Sequence, residues 1–378
     1  MGSVFKSEKR KKRMKQLGKT QFGTKKGQKE TFKPGEVGKM RINLLVVTDD
    51  GDYAGHLSEY ISEHHADMMN VNICSTPECL QELLPVQKFD AALLEPYMIK
   101  YVDLHAIHLP LLLWTDEESY AEAPEELKGI RKYQRISSIV ASVVEQYAAV
   151  STAGRGVDSE KAHITAVWSP TGGVGKTIVA LAYAEKMASA GKQVLYLNLE
   201  TFSSIPAFFA DTGKSISRVF DLLEYKEGNV KMLIRGIQKQ DSGAGVMYFC
   251  SPDNFDDMNI LSSENIALLL DACAGVSEEL VIDMSCVCDE RAWKIFELTN
   301  KVFLVTDATT LAHTKLSQFV SQNNVFERIK EKTVLIANKG ESAAKSPVEM
   351  VISLPYVHTT DAIEVYKTLA DNRFEVHK

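Results

Sequence analysis

Ser169-Pro170-Thr171-Gly172-Gly173-Val174-Gly175-Lys176-Thr177 lies between an apolar stretch, residues 164–169, and a helix-patterned stretch. Polyphosphate recognition needs this order of parts. Glycines let successive backbone N–H groups curl around oxyanions, and a following helix N-terminus adds partial positive charge. In that reading Lys176 reaches the β- and γ-phosphates and the Thr177 hydroxyl ligates Mg²⁺. The strict pattern GxxxxGK[ST] asks for glycine where this chain has Pro170. The plainer reading is a glycine-rich strand-to-helix turn with no ligand. Strand, loop, helix and GK[ST] agree in order, which favours the phosphate reading.

Outward from this loop, residues 162–378 alternate strands and helices. Apolar runs at 164–169, Val194–Leu199, 246–250, 280–284, 302–306, 333–338 and 351–354 predict about seven strands. Helical stretches fall between most of them; residues 178–189 stop at Gly191 and Lys192, and 361–370 supply a last helix. The pattern predicts an α/β fold with a doubly wound parallel sheet and ligand chemistry at the strand C-termini.

With TGGVGKT at 171–177, this part resembles the deviant Walker A ATPases of the ParA/MinD group, whose loop reads KGGVGKT. The resemblance implies binding of ATP and Mg²⁺ by Thr171, Gly172, Gly173, Val174, Gly175, Lys176, Thr177 and Ile178. Asn338, ending VLIAN, and Pro355 would line the base pocket. Asp283, ending LVID, would hold a metal-bound water in the outer shell. Asn198 and Glu200 (LNLE) stand where the group has DxD, so Glu200 would orient the attacking water and Asn198 falls in the outer metal shell. Lys176 and Glu200 are thus the candidate catalytic pair. Three positions depart from the group. Thr171 replaces the lysine that crosses to a partner's nucleotide, Val287 replaces a switch glycine, and Asn198 carries no charge. Phosphoryl transfer rests on positioning and charge stabilisation, so these departures predict ATP binding with slow hydrolysis.

Residues 40–150 read as a smaller α/β unit, again a doubly wound parallel sheet. Strands are expected at 42–48, 70–75, 90–94 and 109–114, with helices near 57–64, 78–84 and 136–147. The first helix carries Leu57, Tyr60, Ile61 and His64 on one stripe. The unit resembles a response-regulator receiver of flavodoxin-like fold. Asp49 and Asp50 stand at the acidic pair, Thr115 at the switch threonine and Lys132 at the lysine, while Tyr133 replaces the usual proline. The acceptor position holds Glu95, one methylene longer than aspartate, which implies a pseudo-receiver used for protein contacts rather than phosphotransfer.

Charge is divided unevenly. Net charge is −7 overall, yet residues 1–41 carry +11 and the remainder −18. Residues 1–39 lack apolar periodicity and read as a basic flexible arm. Residues 9–15 (KRKKRMK) hold six basic side chains, so contact of the arm with an anionic membrane or nucleic acid is a second reading. Residues 151–161 read as a linker. No apolar run is long enough to span a bilayer and no secretory signal is evident, so a cytoplasmic location is expected. The six cysteines form no CxxC pair; buried thiols are expected, with Cys286 and Cys288 sharing one packed strand face.

A pseudo-receiver joined to a ParA/MinD-type domain without the signature lysine is similar to the layout of the TadZ/CpaE family. That resemblance implies a homodimerising, ATP-binding scaffold that recruits pilus secretion and assembly proteins for type IVb (Tad/Flp) pili, often at a cell pole. Two other classes stay open: a ParA/MinD-style positioning ATPase cycling on DNA or membrane, and a phosphorylation-driven signalling protein.

Overall fold

Runs such as INLLVV and KVFLVT are apolar at every position, so as strands they must be covered on both faces, which parallel sheets wound by helices provide. The computed structural model describes residues 41–66, 68–115, 124, 127–151, 162–226, 228–340, 347–371 and 374. The basic arm at 1–39 and residues 152–161 of the expected linker lie outside the described residues. The chain divides after Val150 into two units.

In the first unit, strands β1 (Ile42–Val47), β2 (Met69–Cys74), β3 (Phe89–Leu94), β4 (Ile107–Trp114) and β5 (Lys128–Arg131) form one sheet in the order β2-β1-β3-β4-β5. All pairings are parallel, and the order is a doubly wound one with its switch point between β1 and β3. Helices α1 (Gly51–His64), α2 (Pro77–Leu83) and α3 (Ile136–Val150) accompany it. On α1 the buried stripe is Ala54, Leu57 and Ile61, whereas His64 is exposed. The stripe therefore lies one turn N-terminal to the expected one. Strand β5 is an addition: KGIR buries only Ile130, so no apolar run announces it.

The cysteine expectation needs correcting here. Cys74, ending β2, and Cys79, in α2, are joined as a disulfide. Of the free thiols, Cys250 and Cys273 are buried, but Cys286 is half-buried and Cys288 is exposed. Both follow a strand rather than lying on it, so they do not share a packed face.

The second unit holds β6 (His163–Trp168), β7 (Val194–Leu199), β8 (Lys239–Gln240), β9 (Met247–Tyr248), β10 (Glu279–Met284), β11 (Lys301–Thr306), β12 (Thr333–Ala337) and β13 (Val351–Ser353). Their order is β13-β12-β11-β6-β10-β7-β9-β8, parallel except for the β8–β9 edge pair. Residues 246–250, expected as one strand, contribute only β9, and β8 is a two-residue edge strand of polar residues. Helix α4 (Lys176–Ser189) follows β6. Its stop is as expected: Gly191, at φ +88°, donates its N–H to the Ala188 carbonyl, and Lys192 donates to Met187. Helices α5 (Ser217–Tyr225), α6 (Val230–Ile237), α7 (Ser263–Ala274), α8 (Glu290–Leu298), α9 (Thr310–Ser321), α10 (Asn323–Phe326) and α11 (Ala362–Asp371) complete the unit. Helices α4 and α11 share a core through Val179, Ala180, Tyr183, Tyr366 and Leu369. Burying Val179 and Leu369 contributes about 1.5–3 kcal/mol each. Trp168 closes β6, fully buried and edge-on to Phe296 at 5.4 Å.

Between β6 and β7 the chain steps over β10, while β11 lies on the other side of β6. That reversal places the loop after β6 at the switch point of the sheet, where open α/β sheets bind ligands.

Candidate phosphate-loop site

The loop is braced from both ends of its turn. Ser169 is buried, and its hydroxyl accepts the Thr171 N–H at 3.1 Å. Val174 is buried within the core, anchoring the tip between two exposed glycines and the helix. Gly173 (φ +78°) and Gly175 (φ +91°) both adopt left-handed backbone, and a Cβ at 175 would stand 2.5 Å from the Asn338 side-chain nitrogen. Glycine is thus required there by conformation and by space. Asn338 donates from Nδ2 to the Val174 carbonyl at 2.8 Å, and Lys339 donates to the Gly173 carbonyl at 2.7 Å. Lys339 is itself held by Asp307 at 3.0 Å. Donors from the end of β12 therefore occupy two loop carbonyls.

Lys176, the first residue of α4, is 7% exposed and donates to Cys286 Sγ at 3.2 Å. Thr177 and Ile178 are half-buried in the same first turn. Asp283, at the end of β10, is fully buried. Its Oδ2 accepts from the Tyr196 hydroxyl at 2.8 Å and from Asn198 Nδ2 at 3.3 Å, while its Oδ1 makes no hydrogen bond of good geometry among the described residues. Burial, then the Glu200 carboxylate, push the Asp283 carboxyl up to about 7 against the opposing pull of Thr177, Tyr196 and Lys176. The Asn198 amide stands between two carboxylates, donating also toward Glu200 Oε2 at 3.5 Å and the Ser204 hydroxyl at 3.2 Å. A donor at 198 lets Asp283 and Glu200 approach; a third carboxylate would not.

Register explains this grouping. Asp283 pairs with Asn198 across β10–β7 and with Val167 across β10–β6, so LVID, LNLE and the loop begin side by side. Lys176, Thr177, Asp283, Asn198 and Glu200 are brought together. Pro355 is exposed just after Leu354, whose N–H bonds to Ala337 and whose carbonyl accepts from Gly340. It lies at the Asn338 end of the loop, away from the carboxylates. Sequence reasoning missed Lys339, Asp307 and Cys286. Lys339, a non-glycine residue at φ +58°, carried no signal beyond its place beside Asn338.

In the first unit, Val47 pairs with Leu94, so Thr48 and Glu95 emerge side by side. Lys132 reaches both: its Nζ lies 2.6 Å from Glu95 Oε1, 3.0 Å from Asp50 Oδ2 and 3.3 Å from the Thr48 hydroxyl. Thr48 donates to the same Glu95 oxygen at 2.6 Å. Burial alone would lower the Lys132 pKa, but hydrogen bonds to Glu95 and Asp50 outweigh it and the net shift is upward. Asp50 also caps α1 through the Tyr53 N–H, which with Lys132 holds its carboxyl below the usual value. Tyr133 donates to Asp50, and Tyr97 accepts the Asp49 N–H. Thr115 is exposed just after β4.

Fold and site together define an α/β protein with a strand–glycine loop–helix unit at a sheet switch point. No protein-family model and no curated protein matches the chain. Solved structures similar to it include a ParA family ATPase from Chlorobium tepidum (14% identity, covering 56% of this chain and 91% of that one, TM-score 0.46). Others are the septum site-determining protein MinD with Mg-ADP from Pyrococcus horikoshii (14%, 55% and 94%, 0.42) and a cobyrinic acid a,c-diamide synthase from Mycobacterium smegmatis with an ATP analog and magnesium (16%, 56% and 93%, 0.42). No helix among the described residues is long and apolar enough to cross a membrane.

Proposed function

We propose that the second unit binds ATP with Mg²⁺ and acts as a nucleotide-regulated scaffold. One observation carries the reading: the left-handed Gly173 and Gly175 shape a loop whose carbonyls are held by Asn338 and Lys339, directly before a helix that opens on Lys176 and Thr177. Such a loop offers amide hydrogens and an ammonium to phosphate oxygens. Two buried polar atoms without hydrogen-bond partners among the described residues, Thr171 Oγ1 and Asp283 Oδ1, fit a site made to be completed from outside the chain. Thr177 would hold Mg²⁺, with Asp283 and Asn198 behind its waters. Asn338 and Pro355 would flank the base, and Glu200 would orient water.

Thr171 supplies no cation to a partner's nucleotide and Asn198 no charge to the metal, so hydrolysis is slow and the bound state long-lived. We read the first unit as a receiver-like domain whose acceptor position is filled by Glu95. The whole chain is then a TadZ/CpaE-type factor, homodimeric with ATP, that recruits pilus secretion and assembly proteins at a membrane-associated, polar site. The basic arm is a further contact for anionic lipid or nucleic acid.

Calorimetric titration with ATP and Mg²⁺, wild type against Lys176→Ala, tests the nucleotide reading; absence of heat in the wild type defeats it. Sizing with and without nucleotide tests the dimer. Rapid phosphate release would replace the scaffold by a cycling positioning ATPase.

A further inference from the structure

Cys286 lies against the glycine loop without serving it in the reading above. Its sulfur accepts a hydrogen bond from Lys176 Nζ at 3.2 Å, and a Cβ built on Gly172 would meet it at 3.8 Å. The sulfur is therefore part of the wall between the first loop glycine and the P-loop lysine. It is half-buried, within reach of a small reagent, whereas Cys250 and Cys273 are buried and desolvation pushes their thiols up. Cys288, two residues on, is exposed, but burial of its sulfur and then Asp289 raise its thiol too. The Lys176 ammonium beside the sulfur draws an anionic disulfide such as glutathione disulfide toward it, where the sulfur exchanges as its thiolate. The surroundings point to an external ligand independently. Thr171, adjoining Gly172, is 3% exposed, and Asp283, three residues before Cys286, is fully buried; the hydroxyl of the one and an oxygen of the other have no hydrogen-bond partner among the described residues.

We propose that Cys286 is a thiol-modification site in the wall of the phosphate loop, taking low-molecular-weight disulfides, and that the mixed disulfide closes the loop to nucleotide. The blocking half of this proposal rests on the nucleotide reading. In the exchange, the Cys286 thiol gives its proton to solvent and the thiolate attacks one sulfur of RSSR. The reagent's S–S bond breaks, a Cys286–S–S–R bond forms, and RS⁻ leaves and takes up a proton. The Cys286 sulfur is oxidised and the departing sulfur reduced. The added group then stands where Gly172 and Lys176 face each other, and a thiol reductant reverses the change.

The test uses the full chain carrying Cys288→Ser, treated with glutathione disulfide and followed by mass spectrometry. Cys286 is expected to take one glutathione, about tenfold faster than in the same chain with Lys176→Met, which no longer steers the anionic reagent. The labelled protein is expected to bind ATP·Mg²⁺ at least about tenfold more weakly by calorimetry, with dithiothreitol restoring affinity. Adding Cys286→Ser should abolish the response to the disulfide. A Cys286 that stays unlabelled, or labels at a rate indifferent to Lys176→Met in a variant of native circular dichroism, overturns the site. Unchanged ATP affinity after stoichiometric labelling overturns the block. Failure of the reduced protein to bind ATP would instead refute the nucleotide reading, and the labelling rates would still decide the thiol.

Discussion

Lys132 and Glu95, 37 residues apart, form a buried ion pair with Nζ and Oε1 2.6 Å apart. Glu95, just after β3, is held between Thr48, which follows β1, and Lys132, which follows β5. Removing the ammonium leaves Glu95, 7% exposed, without its cation and still accepting from the Thr48 hydroxyl. Breaking one side of a buried pair costs roughly 3–5 kcal/mol, and Asp50, open to solvent, places this one at the lower end. Lys132→Met should therefore destabilise the first unit by about 3 kcal/mol. Hydrogen exchange of β1 and β3 amides is the check; unchanged protection would mean the pair is incidental.

The same geometry sets an expectation for chemistry. With Lys132 bonded to Glu95 and Asp50, and Tyr133 bonded to Asp50, the ammonium is already engaged by two carboxylates and the cluster stays net negative, which opposes an incoming phosphoryl group. Incubation with acetyl phosphate and Mg²⁺ should leave the wild type unlabelled by intact-mass measurement. A hydroxylamine-labile adduct of one phosphoryl group would show that the acceptor lies elsewhere.

Two loop glycines should respond differently to a methyl group. At Gly175 the backbone is left-handed and Asn338 Nδ2 stands 2.5 Å from the new atom; at Gly172 no left-handed strain applies and the nearest neighbour is 3.8 Å away. Gly175→Ala should lower stability by about 1–3 kcal/mol, break the Asn338–Val174 bond and abolish nucleotide binding. Gly172→Ala should fold as well as the wild type. Equal melting temperatures for all three proteins would contradict the geometry.

Glu279 sits at the opposite end of β10, fully buried, with Oε1 accepting from Thr165 and Tyr183 and paired with His163 at 2.9 Å, and Oε2 paired with Lys192 at 3.1 Å. Burial would raise its pKa, but His163 and Lys192 outweigh that and the net shift is downward. A depressed carboxyl stabilises the fold fully above its unfolded value, about 4.3, and that contribution is lost as pH falls through the folded value. The melting temperature should fall below about pH 4, and Glu279→Gln should lower it at neutral pH while flattening the acid limb. A variant whose acid limb stays as steep as the wild type's would assign the acid loss to other carboxyls.

What the chain discloses in advance follows from how each feature is encoded. Strand Val194–Leu199 is buried at every position, and its apolar run gives its bounds directly. Strand β5 buries one side chain and β8 none, so tertiary pairing alone makes them strands. At the site, Lys176 and Thr177 are legible because a local turn requires them in sequence. Cys286 is 110 residues from Lys176 and Lys339 is 166 from Gly173, contacts that only the sheet order creates. The Cys74–Cys79 bridge was invisible for a related reason: spacing does not reveal that α2 folds back on the end of β2.

Asn198 offers the sharpest test of the proposed metal corner. Its amide donates to Asp283 Oδ2 at 3.3 Å and toward Glu200 at 3.5 Å, so it neutralises the gap between two carboxylates. Asn198→Asp removes that donor and adds a like charge beside Asp283, already raised by burial and by Glu200. Without metal the variant should lose about 1–3 kcal/mol, read as a lowered melting temperature. With ATP and Mg²⁺ the sign should reverse, because an added carboxylate strengthens a divalent site and ligand binding stabilises the folded state. The Mg²⁺-induced rise in melting temperature should thus be larger in Asn198→Asp than in wild type, with a smaller excess when Ca²⁺ replaces Mg²⁺. Equal rises in both proteins would place the cation away from residue 198 and leave Asp283 Oδ1 as a purely structural oxygen.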